Sequence, residues 1–148
     1  MRTLMSLFVV AVIVNYPWEL AQAPLYVGLK RYDTDVLWHC FVASLGDGIM
    51  VMIIFAAGWI TLHRWDWFQQ PGVAGYVAMF ITGLTLAVLV EFVAVHISGR
   101  WQYTVKMPIV PGFDVGLVPI AQMLILPALI FRVVRILELR KMLKSPQS

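Results

Sequence analysis

Four apolar stretches, each as long as a membrane-spanning helix, dominate this 148-residue sequence. A helix needs about 20 residues to cross the hydrocarbon core of a bilayer. The stretches cover about residues 4–27, 36–62, 73–98 and 117–137, and a basic extension, 138–148, follows the last one. Inside hydrocarbon every backbone N–H and C=O needs an internal partner, which a helix supplies. We therefore predict an all-α fold: a polytopic integral membrane bundle of four transmembrane helices in a single domain.

The composition excludes a water-soluble globule. Hydrophobic residues make up 61% of the chain and charged residues only 13%, whereas soluble domains carry about 25% charged residues. The net charge of +3 comes mainly from the C-terminal end, so it gives no indication of nucleic-acid binding. The single cysteine, Cys40, excludes a disulfide framework within the chain.

Lysine and arginine are unevenly divided between the two ends of the predicted bundle. With four spans, the N-terminus, the second connection and the C-terminus share one side. That side carries Arg2, Arg64, Arg132, Arg135, Arg140, Lys141 and Lys144, and the other side carries Lys30, Arg31, Arg100 and Lys106. Cytoplasmic connections are enriched in these residues. We therefore predict a multi-pass protein of the cell inner membrane with cytoplasmic N- and C-termini.

Three carboxyl residues, Glu19, Asp47 and Glu91, interrupt the apolar stretches. A charged side chain at the bilayer centre costs about 2.5 kcal/mol or more, so such residues usually mark a pathway or a reaction site. Because successive helices alternate in direction, all three fall in the outer half of the bilayer. This asymmetry predicts a polar cavity near the outer leaflet.

Helical spacing indicates which faces point into the bundle. Polar or small residues recur on one face of each of the first three helices. These faces consist of Asn15, Glu19, Gln22 and Tyr26; of Cys40, Ser44 and Asp47; and of Gly75, Gly83, Ala87 and Glu91. Small residues allow close helix approach, so we expect Glu91 to point inward.

Converging carboxyl groups in an apolar bundle are suited to acid–base chemistry. The predicted catalytic residues are Glu19, Glu91, Asp47 and His39, with Glu91 and Glu19 as acid and base and Asp47 or His39 as relay. The predicted substrate-binding residues are Asn15, Gln22, His96, Arg100, Tyr103 and Gln122. The leading hypothesis is a protein that binds a lipid-like or isoprenoid-type molecule, or binds it and converts it as an isomerase, cyclase or hydratase.

Two alternatives from other functional classes stay open. Buried carboxylates also build relays in transporters, so a proton- or cation-coupled transporter or relay subunit, working as a homo-oligomer, is one of them. A non-catalytic accessory subunit of a membrane complex is the other. For Arg100 the sequence favours a structural ion pair with Glu91 or Glu19. Five tryptophans are expected in an interfacial belt: Trp38, Trp59, Trp65, Trp67 and Trp101.

No cofactor and no metal site are predicted. Two histidines, His39 and His96, are expected at matching depth on neighbouring helices, so haem b held by both is an alternative. A metal site that adds Asp47 and Glu91 to these histidines is another. The expected partners are the lipid bilayer and a lipid-like small molecule, and no nucleic acid.

One segment resembles a known kind of membrane enzyme. This segment is similar to the helix-end pattern of small membrane carotenoid cyclases and hydratases at Glu91, residues 99–103 (GRWQY), Met107-Pro108 and residues 117–122 (LVPIAQ). The Trp18-Glu19 pair resembles the sterol-isomerase (emopamil-binding) bundles. The resemblance implies acid–base chemistry on a polyisoprenoid or sterol-like substrate, with Glu91 and Glu19 in the acidic roles. In place of the cyclases' paired glutamates, this chain has Pro119 and Gln122.

Overall fold

The computed structural model describes residues 2–29 and 33–144, and in them four long helices account for most of the chain. Their bounds are α1, Arg2–Gln22; α2, Thr34–Leu62; α3, Gly72–Phe92; and α4, Leu117–Lys144. Each of the four is long and apolar enough to cross a membrane. The predicted all-α membrane bundle is therefore confirmed, and its outer surface contacts the lipid bilayer.

The helices form a square bundle. In it α1 packs against α2 and α4, and α3 packs against the same two helices on the opposite side. Close contact of α3 with α4 depends on Gly83, where a Cβ atom would lie 2.6 Å from the backbone oxygen of Met123. Ala87 and Glu91 continue this buried face of α3. The expected inward face of the third helix is thus confirmed.

Several helix ends differ from the prediction. The first helix stops at Gln22 and passes into a 3-10 turn, Ala23–Leu25, because Pro24 has no N–H to continue the helical hydrogen bonds. The third ends in a π-helical turn, Val93–Ile97. The fourth, by contrast, continues past residue 137 through the basic segment to Lys144, as the arginine and lysine residues interleaved with isoleucine and leucine there predict.

At the end of the bundle where α2 turns into α3, Trp67 is fully buried. Its indole N–H donates to the backbone oxygen of Phe55 at 3.0 Å, and its ring packs edge-on against Phe131. Gly58 makes room for it, since a Cβ there would lie 2.3 Å from the indole. The interfacial belt is therefore wrong for Trp67, which is part of the core.

The opposite end is closed by the connection between α3 and α4, which forms a small antiparallel hairpin of β1, Ile109–Val110, and β2, Val115–Gly116. Before it, Tyr103 forms an isolated β-bridge with Tyr26. The neighbouring backbone bonds run from Val27 N–H to the Gln102 oxygen at 2.9 Å and from Thr104 N–H to the Leu25 oxygen at 2.8 Å. This connection, together with the end of α1, covers the polar end of the bundle.

Candidate functional site

Polar side chains from all four helices meet at the covered end of the bundle. Glu19 is partly buried, and the other members are almost completely buried: Asn15, Gln22, Ser44, Asp47, Glu91 and Gln122. The polar faces predicted from helical spacing are therefore inward-facing, as expected. They meet because the square packing of the helices turns all four faces toward one centre.

Gln122 is the centre of this cluster. Its side-chain Nε2 lies 2.9 Å from Asn15 Oδ1, from Glu19 Oε1 and from Asp47 Oδ2. Its Oε1 accepts a hydrogen bond of 3.0 Å from Gln22 Nε2, which also donates to Glu19 Oε1 at 2.6 Å. An amide NH2 has only two hydrogens, so three acceptors compete for the two that Gln122 supplies.

The Glu19 and Asp47 carboxyl groups are neighbours, since one oxygen of each lies 2.9 Å from the same Gln122 Nε2. Two ionised carboxylates side by side repel each other, so a proton on one of them stabilises the pair. Neither group forms an ion pair within residues 2–29 and 33–144, where the salt bridge is the exposed pair Arg64 and Asp66 at 3.5 Å. The pair is thus an acidic group without a cationic partner in the described protein.

Glu91 forms a second acidic group at the same end. Its Oε2 accepts a hydrogen bond from the Tyr103 hydroxyl and a longer one, 3.4 Å, from the Trp101 indole N–H. The Tyr103 oxygen in turn accepts from the Gly116 N–H at 2.9 Å, which anchors the pair to β2. Burial, and then the neighbouring Glu91, raises the pKa of Tyr103 above its ordinary value. Tyr103 therefore stays a neutral hydroxyl donor to Glu91 at physiological pH.

Both acidic groups line one cavity of about 300 Å³. Glu19, Asp47 and Glu91 are all part of its wall, together with Gln22 and Gln122. Apolar atoms of the same wall come from residues that include Cys40, Ala43, Met50, Ala87 and Met123. The arrangement joins three carboxyl groups, from three different helices, to a single space.

The cavity opens sideways between α2 and α3. Three of its lining residues on α2, His39, Val42 and Gly46, are exposed on the outside of the bundle, and so is Val90 on α3. A Cβ built at Gly46 meets no atom within 4 Å. The side of the bundle is therefore open at this point, and the rim is mostly apolar.

The predicted site residues fall into two groups. Seven of them line the cavity: Glu19, Gln22, His39, Asp47, Glu91, Arg100 and Gln122. Asn15 supports Gln122, and Tyr103 supports Glu91, each through the hydrogen bonds given above. His96 is exposed and packs against the Phe92 ring, with 4.9 Å between ring centroids, so the structure does not bring it to the cavity.

The ion pair expected for Arg100 is wrong. Arg100 is exposed at the cavity rim and holds its guanidinium 6.0 Å from the centre of the Trp101 ring. The part of the chain that the structure describes gives it no carboxylate partner within 4 Å. The physical reason is that the neutral donors Tyr103 and Trp101 already occupy the Glu91 oxygen on that side, while Arg100 reaches water.

Two aromatic site residues were missed by sequence reasoning. Trp101, expected in the interfacial belt, is half-buried and donates to Glu91. Tyr26, assigned only to a helix face, lines the cavity and packs against the rings of Trp101 and Tyr103. Nothing in their spacing distinguishes them from ordinary helix-end aromatics, because the contacts depend on the path of the connection after α3.

Among the described residues no group of three or more His, Cys, Asp or Glu side chains is arranged to hold a metal ion. His39 lines the cavity whereas His96 does not. Haem binding by this pair therefore stays an untested alternative.

Comparison with known proteins gives no match: no protein-family model, no curated protein and no solved structure is similar to this chain.

Proposed function

We propose that the protein takes a lipid-like, isoprenoid-type molecule from the bilayer into this cavity and exchanges protons with it. The observation that carries the proposal is the shared cavity. Three carboxyl side chains from α1, α2 and α3 line one space that opens toward lipid between α2 and α3. An enzyme that acts on a molecule dissolved in the membrane needs both an acidic interior and a lateral opening.

The size of the cavity limits what enters it. The space of about 300 Å³ lies at the lower end of the range for small-molecule sites, which is about 300–1,000 Å³. That is enough for a head group or one terminal ring of an isoprenoid. The remainder of a longer chain stays among the acyl chains outside the opening, where Val42 and Val90 form an apolar rim.

The two acidic groups have different roles in the proposed chemistry. Glu91 is held through Oε2 alone, so Oε1 is left without a protein donor in the described chain. In the proposed reaction the protonated Glu91 carboxyl group transfers its proton from Oε1 to one carbon of a substrate double bond. This leaves a carbocation on the next carbon. The Glu19–Asp47 pair, across the cavity, accepts a proton from a neighbouring carbon, and the double bond moves. No atom is gained or lost by the substrate, so this reaction is an isomerisation. If an internal alkene captures the cation instead, the ring cation that forms loses its proton to the same pair, which is a cyclisation. If water captures it, the oxonium ion loses its proton to the pair, which is a hydration.

A lipid inventory tests the binding step. The protein is purified in nanodiscs, and molecules that remain with it are identified by mass spectrometry. We expect one lipid class at about one molecule per chain, and we expect Glu91→Gln to keep that class but to shift the ratio of its isomers. Purified protein with only random bulk lipid would contradict the proposal.

The relay alternative makes a different prediction. If the protein were a proton relay, proteoliposomes under a pH gradient would show a proton flux that disappears in Glu91→Gln. We expect no such flux from the natural protein, because the apolar halves of the helices and the buried Trp67 close the other end of the bundle. Glu91-dependent flux would replace the enzyme proposal by the relay.

We also propose that the protein lies in the cell inner membrane with both termini in the cytoplasm. The excess of lysine and arginine at that end of the bundle supports this orientation; Lys30 and Arg31, on the other side, lie outside the described residues. A C-terminal reporter that is active only in the cytoplasm is expected to be active. Activity of a periplasm-specific reporter at the same place would reverse the orientation.

A further inference from the structure

The polar cluster contains more acceptors than donors. Each of its amides offers two hydrogens and one oxygen, whereas an ionised carboxylate offers two oxygens and no hydrogen. One hydrogen of Asn15 is taken by the Ala11 backbone oxygen at 2.8 Å. Even with one proton shared by Glu19 and Asp47, the oxygens of Asn15, Glu19, Gln22, Asp47 and Gln122 outnumber the hydrogens that remain. The cluster is therefore short of hydrogen-bond donors.

The shortage is visible at one atom. Gln22 is only 4% exposed, and its Oε1 is buried without a hydrogen-bond partner. Burying an amide oxygen without a donor is unfavourable. Gln22 lines the cavity, and a turn of its amide would bring this covered oxygen to a donor on a ligand in that space and remove the cost.

The charge of the cavity restricts the ligand further. A carboxylate or phosphate end would add oxygens and negative charge to a wall that already holds Glu19, Asp47 and Glu91. An ether or a hydrocarbon end would bring no hydrogen. A hydroxyl or a protonated amine brings the hydrogen that the cluster lacks.

We infer that the ligand is a membrane amphiphile whose polar end is a hydrogen-bond donor seated on Gln22, with its apolar tail leaving over Gly46 between α2 and α3. This rests on the proposed function and deepens it by naming the head group and the path of entry. Gly46 is the residue that keeps the path open, because the exposed helix surface at this point carries no side chain.

Four probes that share the same isoprenoid chain and differ only in the head group distinguish the possible head groups: farnesol, farnesylamine, farnesyl methyl ether and farnesoic acid. Binding to the protein in nanodiscs is measured by native mass spectrometry. We expect farnesol or farnesylamine to bind at least about tenfold more tightly than the ether and the acid, as one satisfied buried acceptor implies. The tighter of the two donors then shows whether the natural head group is a neutral alcohol or a cation.

Two matched variants test the path. Gly46→Trp fills the opening and is expected to weaken the binding of every bound probe by about tenfold or more. Ile49→Trp, on the same helix, places the same side chain at an exposed position that does not line the cavity, and is expected to bind like the natural protein. Equal unfolding midpoints for the two variants show that the difference is not a folding defect.

The outcomes separate the inference from the proposed function. If the ether binds as well as the alcohol and Gly46→Trp still blocks both, the donor head group is wrong and lipid binding stands. If probes bind but Gly46→Trp and Ile49→Trp behave alike, the entry path is wrong. If none of the four probes binds, the proposed function fails together with the inference.

Discussion

Replacement of Gln122 by methionine removes the amide that joins α1, α2 and α4 while keeping a side chain of similar length. The amide can make about three strong hydrogen bonds at once, two donated and one accepted, to partners on the two other helices. Interhelical hydrogen bonds in membrane proteins average about 0.6 kcal/mol and reach about 1.7. The free energy of unfolding should therefore fall by about 2–5 kcal/mol.

The assay is reversible unfolding in mixed micelles, followed by tryptophan fluorescence. The matched control is Gln102→Met, because Gln102 is exposed on the connection after α3, and it should change stability by less than about 0.5 kcal/mol. Gln122→Glu is a second variant that keeps the size but supplies fewer hydrogens, and it should destabilise as well. If Gln122→Met and Gln102→Met cannot be told apart, Gln122 is not the centre of the cluster.

Three further predictions follow from the same structure. Glu91→Gln should lower conversion of a bound lipid by about 100-fold or more, as loss of a general acid does. It should change the free energy of unfolding by less than about 1 kcal/mol, because the new amide oxygen can still accept hydrogen bonds from the connection after α3. A large loss of stability would instead make Glu91 a structural residue. Gly58→Val should destabilise by about 1–3 kcal/mol through overpacking against Trp67, measured by unfolding, and an unchanged stability would contradict the buried position of Trp67. Burial, and then the Glu91 charge, raises the pKa of Tyr26 in the folded protein. The stabilisation of the fold is therefore complete below the ordinary tyrosine pKa of about 10 and is lost as the pH rises above it. Tyr26→Phe should flatten this alkaline loss of stability, and an identical pH profile of stability for both proteins would contradict the prediction.

Much of the site follows from spacing alone. Glu19 and Gln22 on one stripe, Asp47 on another and Glu91 on a third were placed inward by the 3.6-residue period, and the structure buries these stripes. The alternation of helix direction then puts them at one end. Helical periodicity works here because a polar side chain in an apolar helix has only one favourable direction, which is away from lipid.

Other contacts were not accessible from sequence. Trp67 and Trp101 stand at helix ends, where interfacial and buried tryptophans have the same neighbours in sequence. Their roles depend on space left by Gly58 and on the π-helical turn Val93–Ile97, which changes the direction of the chain after Glu91. Such features arise from packing between segments, and a local pattern does not record them.

The central claim is that Glu19, Asp47 and Glu91 share a single cavity with the ligand. Infrared difference spectroscopy measures this directly, because the C=O stretch of a protonated carboxyl group shifts when its hydrogen bonding changes. Addition of farnesol to the protein in nanodiscs should shift carboxyl bands, and Glu91→Gln should remove one of them. If farnesol binds and no carboxyl band changes, the ligand lies elsewhere and the acidic cluster only holds the helices together.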